Sequence, residues 1–383
     1  MKQAVNQQRR RFLKTMGGAA VASCAGLVVG GCQGAGRADL ERSGRPLDAV
    51  KGLDDKLSAI LYYASLAANG HNSQPWFVKT VNPNEWIIGV DPERRLGSID
   101  PHHIVALQSI GAFSENLSVA ATTFGYEAEM DVVAAAPTDE EIIKVSLRKR
   151  VASDYPLKRI TSRMTPKHGF RNSEIKSVDV KALSAAAGGR LFYFPRGSDH
   201  AKCIREGAVE TFRTQVFRDE AQRESVKWFR PNDAEARKFR DGLSAEGMEV
   251  RGILGWYFRN FVSRQDMMKA SFRKKSVDHM AGLAKEGGGW FVMTSKENSV
   301  ADSVEAGRRF ESMALLARER GLGIHPMTQW LEEETGLKKI ANNHKPDVVE
   351  SAFVPQMVIR VGYLDTYPDP VSFRRPPGWF VRT

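Results

Sequence analysis

Cysteine is scarce in this chain, with three in 383 residues, at positions 24, 32 and 203. Cys24 and Cys32 fall in a leader-like N-terminus, which leaves Cys203 alone. That excludes a disulfide framework, an iron–sulfur cluster and a Cys-rich zinc site. No C-x-x-C-H run offers covalent haem attachment. No G-x-G-x-x-G or G-x-x-x-x-G-K-[ST] opens a helix after a strand, so dinucleotide and P-loop readings lack support. Long hydrophobic runs are missing too. The weakly apolar stretch Met16–Gly31 is too short and glycine-rich for a good membrane-spanning helix. Acidic residues are absent from residues 1–32, which carry five basic ones, so five of the eleven excess positive charges sit there. The charge excess therefore gives weak grounds for nucleic-acid binding, and no nucleic-acid fold signature accompanies it.

What is present begins with an address. Arg9-Arg10-Arg11-Phe12-Leu13-Lys14 matches the twin-arginine export pattern R-R-x-F-L-K. Val29-Gly30-Gly31-Cys32 is a loose lipobox, in which Cys32 would be acylated and anchor the protein to a membrane face; the alternative is cleavage near Gly36 or Ala38. The expected organisation is a signal peptide over 1–32, a tether over 33–46 and a folded body over 47–383. The expected partner is the twin-arginine translocase during export, and the expected location periplasmic or otherwise extracytoplasmic. This route carries folded proteins, chiefly those given a cofactor in the cytoplasm, so a bound redox cofactor is expected.

The body mixes helical and strand periodicities. Leu53–Ala68 reads as a helix ending at Asn69-Gly70. Phe77–Val81 and Trp86–Val90 read as a strand pair, His103–Phe124 as a helix capped by Gly125, and Tyr126–Val133 and Ile142–Leu147 as strands. Residues 198–286 read as several charged helices. Trp290–Thr294 and Gln356–Val361 read as strands flanking a helix over Val300–Arg320. Two helices share a pattern: Gly111, Glu115, Leu117, Ala121 and Gly125 match Gly307, Glu311, Met313, Ala317 and Gly321 in order and spacing. Either two ordinary amphipathic helices coincide, or the body is a fused duplicate with halves of roughly 47–150 and 151–383. In the second case glycine at each helix would let the two approach closely across a pseudo-twofold axis.

The most specific run is Ala68-Asn69-Gly70-His71-Asn72-Ser73-Gln74-Pro75-Trp76, between a helix end and a strand. Arg159-Ile160-Thr161-Ser162-Arg163 and the closing stretches Gly321–Pro326 and Pro355–Tyr363 complete a set of weak motifs in order. Together they resemble the FMN-dependent nitroreductase family, in its exported single-chain Acg-like branch, over roughly residues 50–375. Two departures stand out: Ala68-Asn69 replaces the family's usual Pro-Ser, and the phosphate-binding element lies mid-chain.

The resemblance implies an α+β nitroreductase-like fold, an internally duplicated single-chain pseudo-dimer with helices around a central antiparallel sheet. It implies FMN as cofactor. Arg159, Thr161 and Arg163, with Arg374 or Arg375, would hold the phosphate; Asn69, Gly70 and Asn72 the ribityl chain; and the Met327 or Thr328 amide the ring. His325 is a candidate proton donor. The implied reaction is two-electron transfer through flavin N5 to a nitroaromatic, quinone or similar conjugated acceptor. Free NAD(P)H is scarce outside the cytoplasm, so the reductant would be a membrane carrier or a dedicated substrate. The alternative is a protein that sequesters flavin without rapid turnover.

No metal site is expected. His102-His103 side chains diverge, and no acidic or cysteine cluster joins them. No Ser-His-Asp order or carboxylate pair suggests hydrolysis. The stretch Met248–Lys275 interleaves aromatics with seven basic and two acidic residues. It reads as core helices with basic outer faces, as a lid, or as a patch for anionic lipid.

Overall fold

The computed structural model describes residues 50–333 and 353–382. The twin-arginine run, Cys32 and the tether lie outside them. The first half of the body contains α1 (Asp55–Ser65), β1 (Trp76–Asn82), β2 (Glu85–Val90), α2 (Ile104–Thr123), β3 (Tyr126–Val132) and β4 (Glu141–Lys149). After the short α3 (Lys158–Ser162), the second half runs α4 (Ser177–Ala186), β5 (Leu191–Pro195), β6 (Gly289–Ser295), α11 (Val300–Ala317), β7 (Leu322–Pro326), α12 (Gln329–Glu332) and β8 (Val354–Tyr363). Between β5 and β6 lie six helices: α5 (Asp199–Phe217), α6 (Asp219–Lys227), α7 (Asp233–Phe239), α8 (Gly252–Phe261), α9 (Arg264–Met267) and α10 (Ala270–Leu283). A last strand, β9 (Val381–Arg382), follows the C-terminal arm.

The expected single central antiparallel sheet is replaced by two sheets. One runs β3-β4-β2-β1-β9 and the other β5-β6-β8-β7. The second is antiparallel throughout. The first is mixed, because β9 joins β1 in parallel, pairing Val78 with Val381. Read from the other edge, the second sheet is β7-β8-β6-β5, the order of β3-β4-β2-β1. In each half a long helix connects the second and third strands.

Each sheet covers its own apolar core. One core gathers Trp76, Ile88, Phe113, Leu117 and Val145, and Phe380 of the C-terminal arm enters it edge-on to Phe113. The other gathers Phe291, Phe310, Met313, Ile324 and Ile359. Helices α2 and α11 pack on each other between them, which explains why no residue of α2 is exposed.

Glycine makes this crossing possible. A Cβ on Gly111 would lie 1.9 Å from the Val304 carbonyl oxygen, and one on Gly307 would lie 2.0 Å from that of Gln108. The contacts are reciprocal: each glycine meets the carbonyl three residues before the other. Gly125 and Gly321, at φ +84° and +65°, turn the chain in the left-handed region just after the two helices.

Candidate functional site

The C-terminal end of α1 leaves carbonyls without helical partners, and two arginines distant in sequence supply donors. Arg374 Nε donates to Ser65 O at 2.9 Å, and its Nη2 to Ala67 O at 3.2 Å. Arg163 Nη2 donates to Leu66 O at 3.3 Å. Glu311 arrives from α11, its Oε2 accepting from the Ala68 amide at 3.1 Å and its Oε1 lying 3.1 Å from Arg163 Nε. Both charged groups are buried. Burial raises the Glu311 pKa, against the opposing pull of Arg163.

The loop that follows is held in an uncommon backbone. His71, Asn72 and Gln74 have φ of 53°, 51° and 51°, a region costing non-glycine residues roughly 1–3 kcal/mol each. Side-chain amides tie it down. Asn72 Nδ2 donates to Gly242 O at 3.0 Å and Phe373 O at 3.2 Å, while its Oδ1 accepts from Arg374 at 2.7 Å. Gln74 Nε2 donates to Arg240 O at 2.8 Å, and its Oε1 accepts from the Arg375 amide at 2.8 Å. Arg375 Nη2 donates to the Gln74 and Trp76 carbonyls at 2.6 and 2.9 Å, and burial lowers its pKa to about 9. Asn69 Oδ1 accepts from the Gln74 amide at 2.9 Å. Burial lowers the His71 pKa to about 4, so its imidazole is neutral near neutral pH.

The structure thus joins Asn69, Asn72, Arg163, Arg374 and Arg375 in one cluster at the meeting of the two halves. Gly70 borders it, its amide 3.4 Å from Ser109 Oγ. Within the cluster Arg374 and Asn72 act as struts, with donors spent on carbonyls and on each other. Arg159 and Thr161 lie on α3, four and two residues before Arg163. Arg159 pairs with Glu319 and stacks over Tyr155 at 5.2 Å; Thr161 Oγ1 donates to Lys158 O at 3.3 Å. Beside α3 an open groove of about 540 Å³ is lined by Ser118, Thr122, Arg150, Ser153 and Tyr155, among others.

The candidates from the β7 region lie elsewhere. The Met327 amide donates to Val358 O at 2.8 Å, so it is committed to the sheet. His325 Nδ1 lies 3.2 Å from Arg360 Nη2. Burial, then the Arg360 charge, hold its pKa well below the usual imidazole value, so it is a neutral packed side chain. Thr328 opens α12 and donates to Glu332 at 2.8 Å.

Thr328 and Glu332 line a narrow cavity between the halves with Asp100, His102, Gln108 and Gln356. Burial raises Asp100 to about 6 and Glu332 to about 7. Between pH 4.5 and 7 the folded chain therefore holds a proton on Glu332 that the unfolded chain has lost. By linkage, this contribution to stability is complete below pH 4.5 and disappears as pH rises through 7. The Glu332→Gln variant should lose that decline: urea unfolding at pH 5 and pH 8 should show it gaining stability over the parent at the higher pH.

Sequence reasoning had aligned Glu311 with Glu115 only as a repeat mark. Its role was signalled by a carboxylate between Phe310 and Met313 on a core-facing helix. The segment 240–242 was not singled out: it reaches the loop through the Arg240 and Gly242 carbonyls and the Asp241 carboxylate.

The cluster fits an anionic, hydrogen-bonding ligand by its unspent capacity. Arg163 Nε and Glu311 Oε1, 3.1 Å apart, are ion-paired without an aligned hydrogen bond. Buried polar atoms rarely remain unpaired in a finished interior.

No family model matches the chain, and no curated protein matches it. Among solved structures it is similar to a nitroreductase-like family protein from Bacillus cereus, at 10% identity over 57% of this chain and 91% of that one, with a TM-score of 0.32. A nitroreductase with bound FMN from Desulfitobacterium hafniense DCB-2 matches at 12% identity over 56% and 91%, with a TM-score of 0.33. The FMN-dependent nitroreductase NfnB from Mycobacterium smegmatis, in complex with NADPH, matches at 13% identity over 54% and 86%, with a TM-score of 0.31. Likeness this distant does not decide the cofactor or chemistry of this chain.

Proposed function

We propose that this protein is an exported FMN-binding oxidoreductase of nitroreductase type, built as a fused duplicate in which one chain forms a pseudo-dimer around the flavin. The carrying observation is the buried meeting of Arg163, Glu311 and the strained 69–74 loop where the halves join, with Arg163 Nε and Glu311 Oε1 left without an aligned hydrogen bond. The reciprocal glycines and the matching sheet orders support the duplication.

FMN phosphate carries about two negative charges at neutral pH and suits guanidinium and hydroxyl donors. Arg163, with Arg159 and Thr161 four and two residues before it, would hold it. Asn69 and Gly70 would face the ribityl chain, and Thr328 is the remaining β7-side candidate for the ring. Arg374 and Asn72 keep the loop in place. When bound, the flavin supplies two-electron transfer to a nitroaromatic, quinone or similar conjugated acceptor. The twin-arginine run would direct the protein out of the cytoplasm, and acylated Cys32 would anchor it.

A second reading, flavin sequestration without rapid turnover, is favoured by the helical segment between β5 and β6. Its 240–242 segment closes on the loop through Asn72, Gln74 and Arg94, the last 2.9 Å from Asp241. Reduction of bound flavin by dithionite but by no biological donor, with no acceptor turnover, separates this reading from the first.

The site assignment is tested with Arg163→Lys, which keeps a positive charge against Glu311 and removes the fork. Losing a charged contact of this kind costs about 2 kcal/mol, roughly thirty-fold in affinity. Titration of the parent and variant with FMN, followed by flavin fluorescence, should show that loss. Equal affinity would remove Arg163 from the site.

A further inference from the structure

Helix α8 is amphipathic in the wrong sense for a soluble surface. Its inward side is Gly255, where a Cβ would lie 2.4 Å from the Val250 carbonyl oxygen, with Phe258 edge-on to Phe229 and Arg259 paired to Glu246. Its outward side carries Ile253, Leu254, Trp256 and Tyr257, exposed by 76%, 65%, 37% and 40%. Tyr257 stacks on Phe261 at 5.3 Å, and Trp256 meets the same ring edge-on at 5.4 Å. By helical geometry, residues 253, 254, 256, 257, 260 and 261 share one arc, and Asn260 is its single polar member.

Basic residues precede and follow this helix in the chain. Arg251 precedes the helix, Lys269 follows α9, and Lys274 and Lys275 lie in α10; all four are exposed. Lys269 and Lys274 are shared with Asp266 and Asp278, so Arg251 and Lys275 carry most of the uncompensated charge. Apolar residues and interfacial aromatics on an outward face, with basic residues close by in the chain, are the features of a helix that lies in the headgroup region of an anionic bilayer.

We propose that α8 is a peripheral membrane-docking helix, its 253–257 face seated in an anionic phospholipid surface. This contact does not depend on acylation of Cys32 or on the flavin reading.

The test places a bimane label at Leu254→Cys in the full chain, with Cys24, Cys32 and Cys203 changed to serine. Label emission should shift to the blue on vesicles of phosphatidylcholine containing phosphatidylglycerol, with no comparable shift on phosphatidylcholine alone. The charge-reversal variant Arg251→Glu/Lys275→Glu, altered only at exposed positions, should need several-fold more lipid for half the shift. The N-terminal segment's own affinity for lipid does not confuse the result, because the label reports from α8. Emission unchanged by lipid, or equal on both vesicle types, would overturn the proposal. So would a blue shift that grows with protein concentration before lipid is added, which would assign the face to a second copy.

Discussion

Gly307→Ala and Gly111→Ala should each cost about 3 kcal/mol or more of folding stability, at the upper end of overpacking changes. The added methyl would meet a backbone carbonyl at about 2 Å in both cases, and backbone in a packed helix cannot rotate away. The two helices must separate, which loosens both cores. Because the contacts lie at one crossing, the double variant should lose less than the sum of the singles: the first methyl has already opened the gap the second needs. Gly97→Ala is the control, since a Cβ there meets nothing within 4 Å. Urea unfolding checks all four chains. Full additivity, or a loss near that of Gly97→Ala, would mean that the crossing is not held as close as described.

Arg163→Met should be the most damaging single change at the α1 terminus. It leaves the Glu311 carboxylate buried without its counter-charge, a situation that costs about 3–5 kcal/mol. Adding Glu311→Gln should recover much of the loss, because glutamine still accepts from the Ala68 amide and brings no charge. The single variant should also be less impaired in acid. The Glu311 pKa is already raised by burial, and removing Arg163 raises it further, so the folded state takes up a proton at higher pH than the unfolded state does. Stability of Arg163→Met should therefore rise from pH 7.5 to pH 5 relative to the parent. A double variant no more stable than the single one would show that the damage comes from lost packing.

Much of the framework was legible locally. The helix expected from His103 to Phe124 is Ile104–Thr123, and the strand pair around Asn82-Pro83-Asn84 is β1 with β2. Gly111 and Gly307 stood out by spacing and sit at the closest approach. Strand β5 and helix α4 were not anticipated, and β7 was expected only as an extended segment after Gly321, because Gly323 and Pro326 blur its pattern. Division into two sheets was hidden because strand partnership is a long-range property: β9 joins β1 across the whole chain. At the site, sequence identified the arginines and amides but not their commitments. A guanidinium that caps a helix and one that waits for a phosphate read alike until the carbonyls around them are placed. Met327 shows the same limit, since only the register with Val358 reveals that its amide is taken.

The most direct measurement is the visible absorption spectrum of the protein purified after expression of the full chain, residues 1–32 included, followed by release and identification of any pigment. The account predicts a flavin spectrum, with FMN released in near one-to-one amount. A colourless, folded protein that also fails to take up added FMN would contradict it.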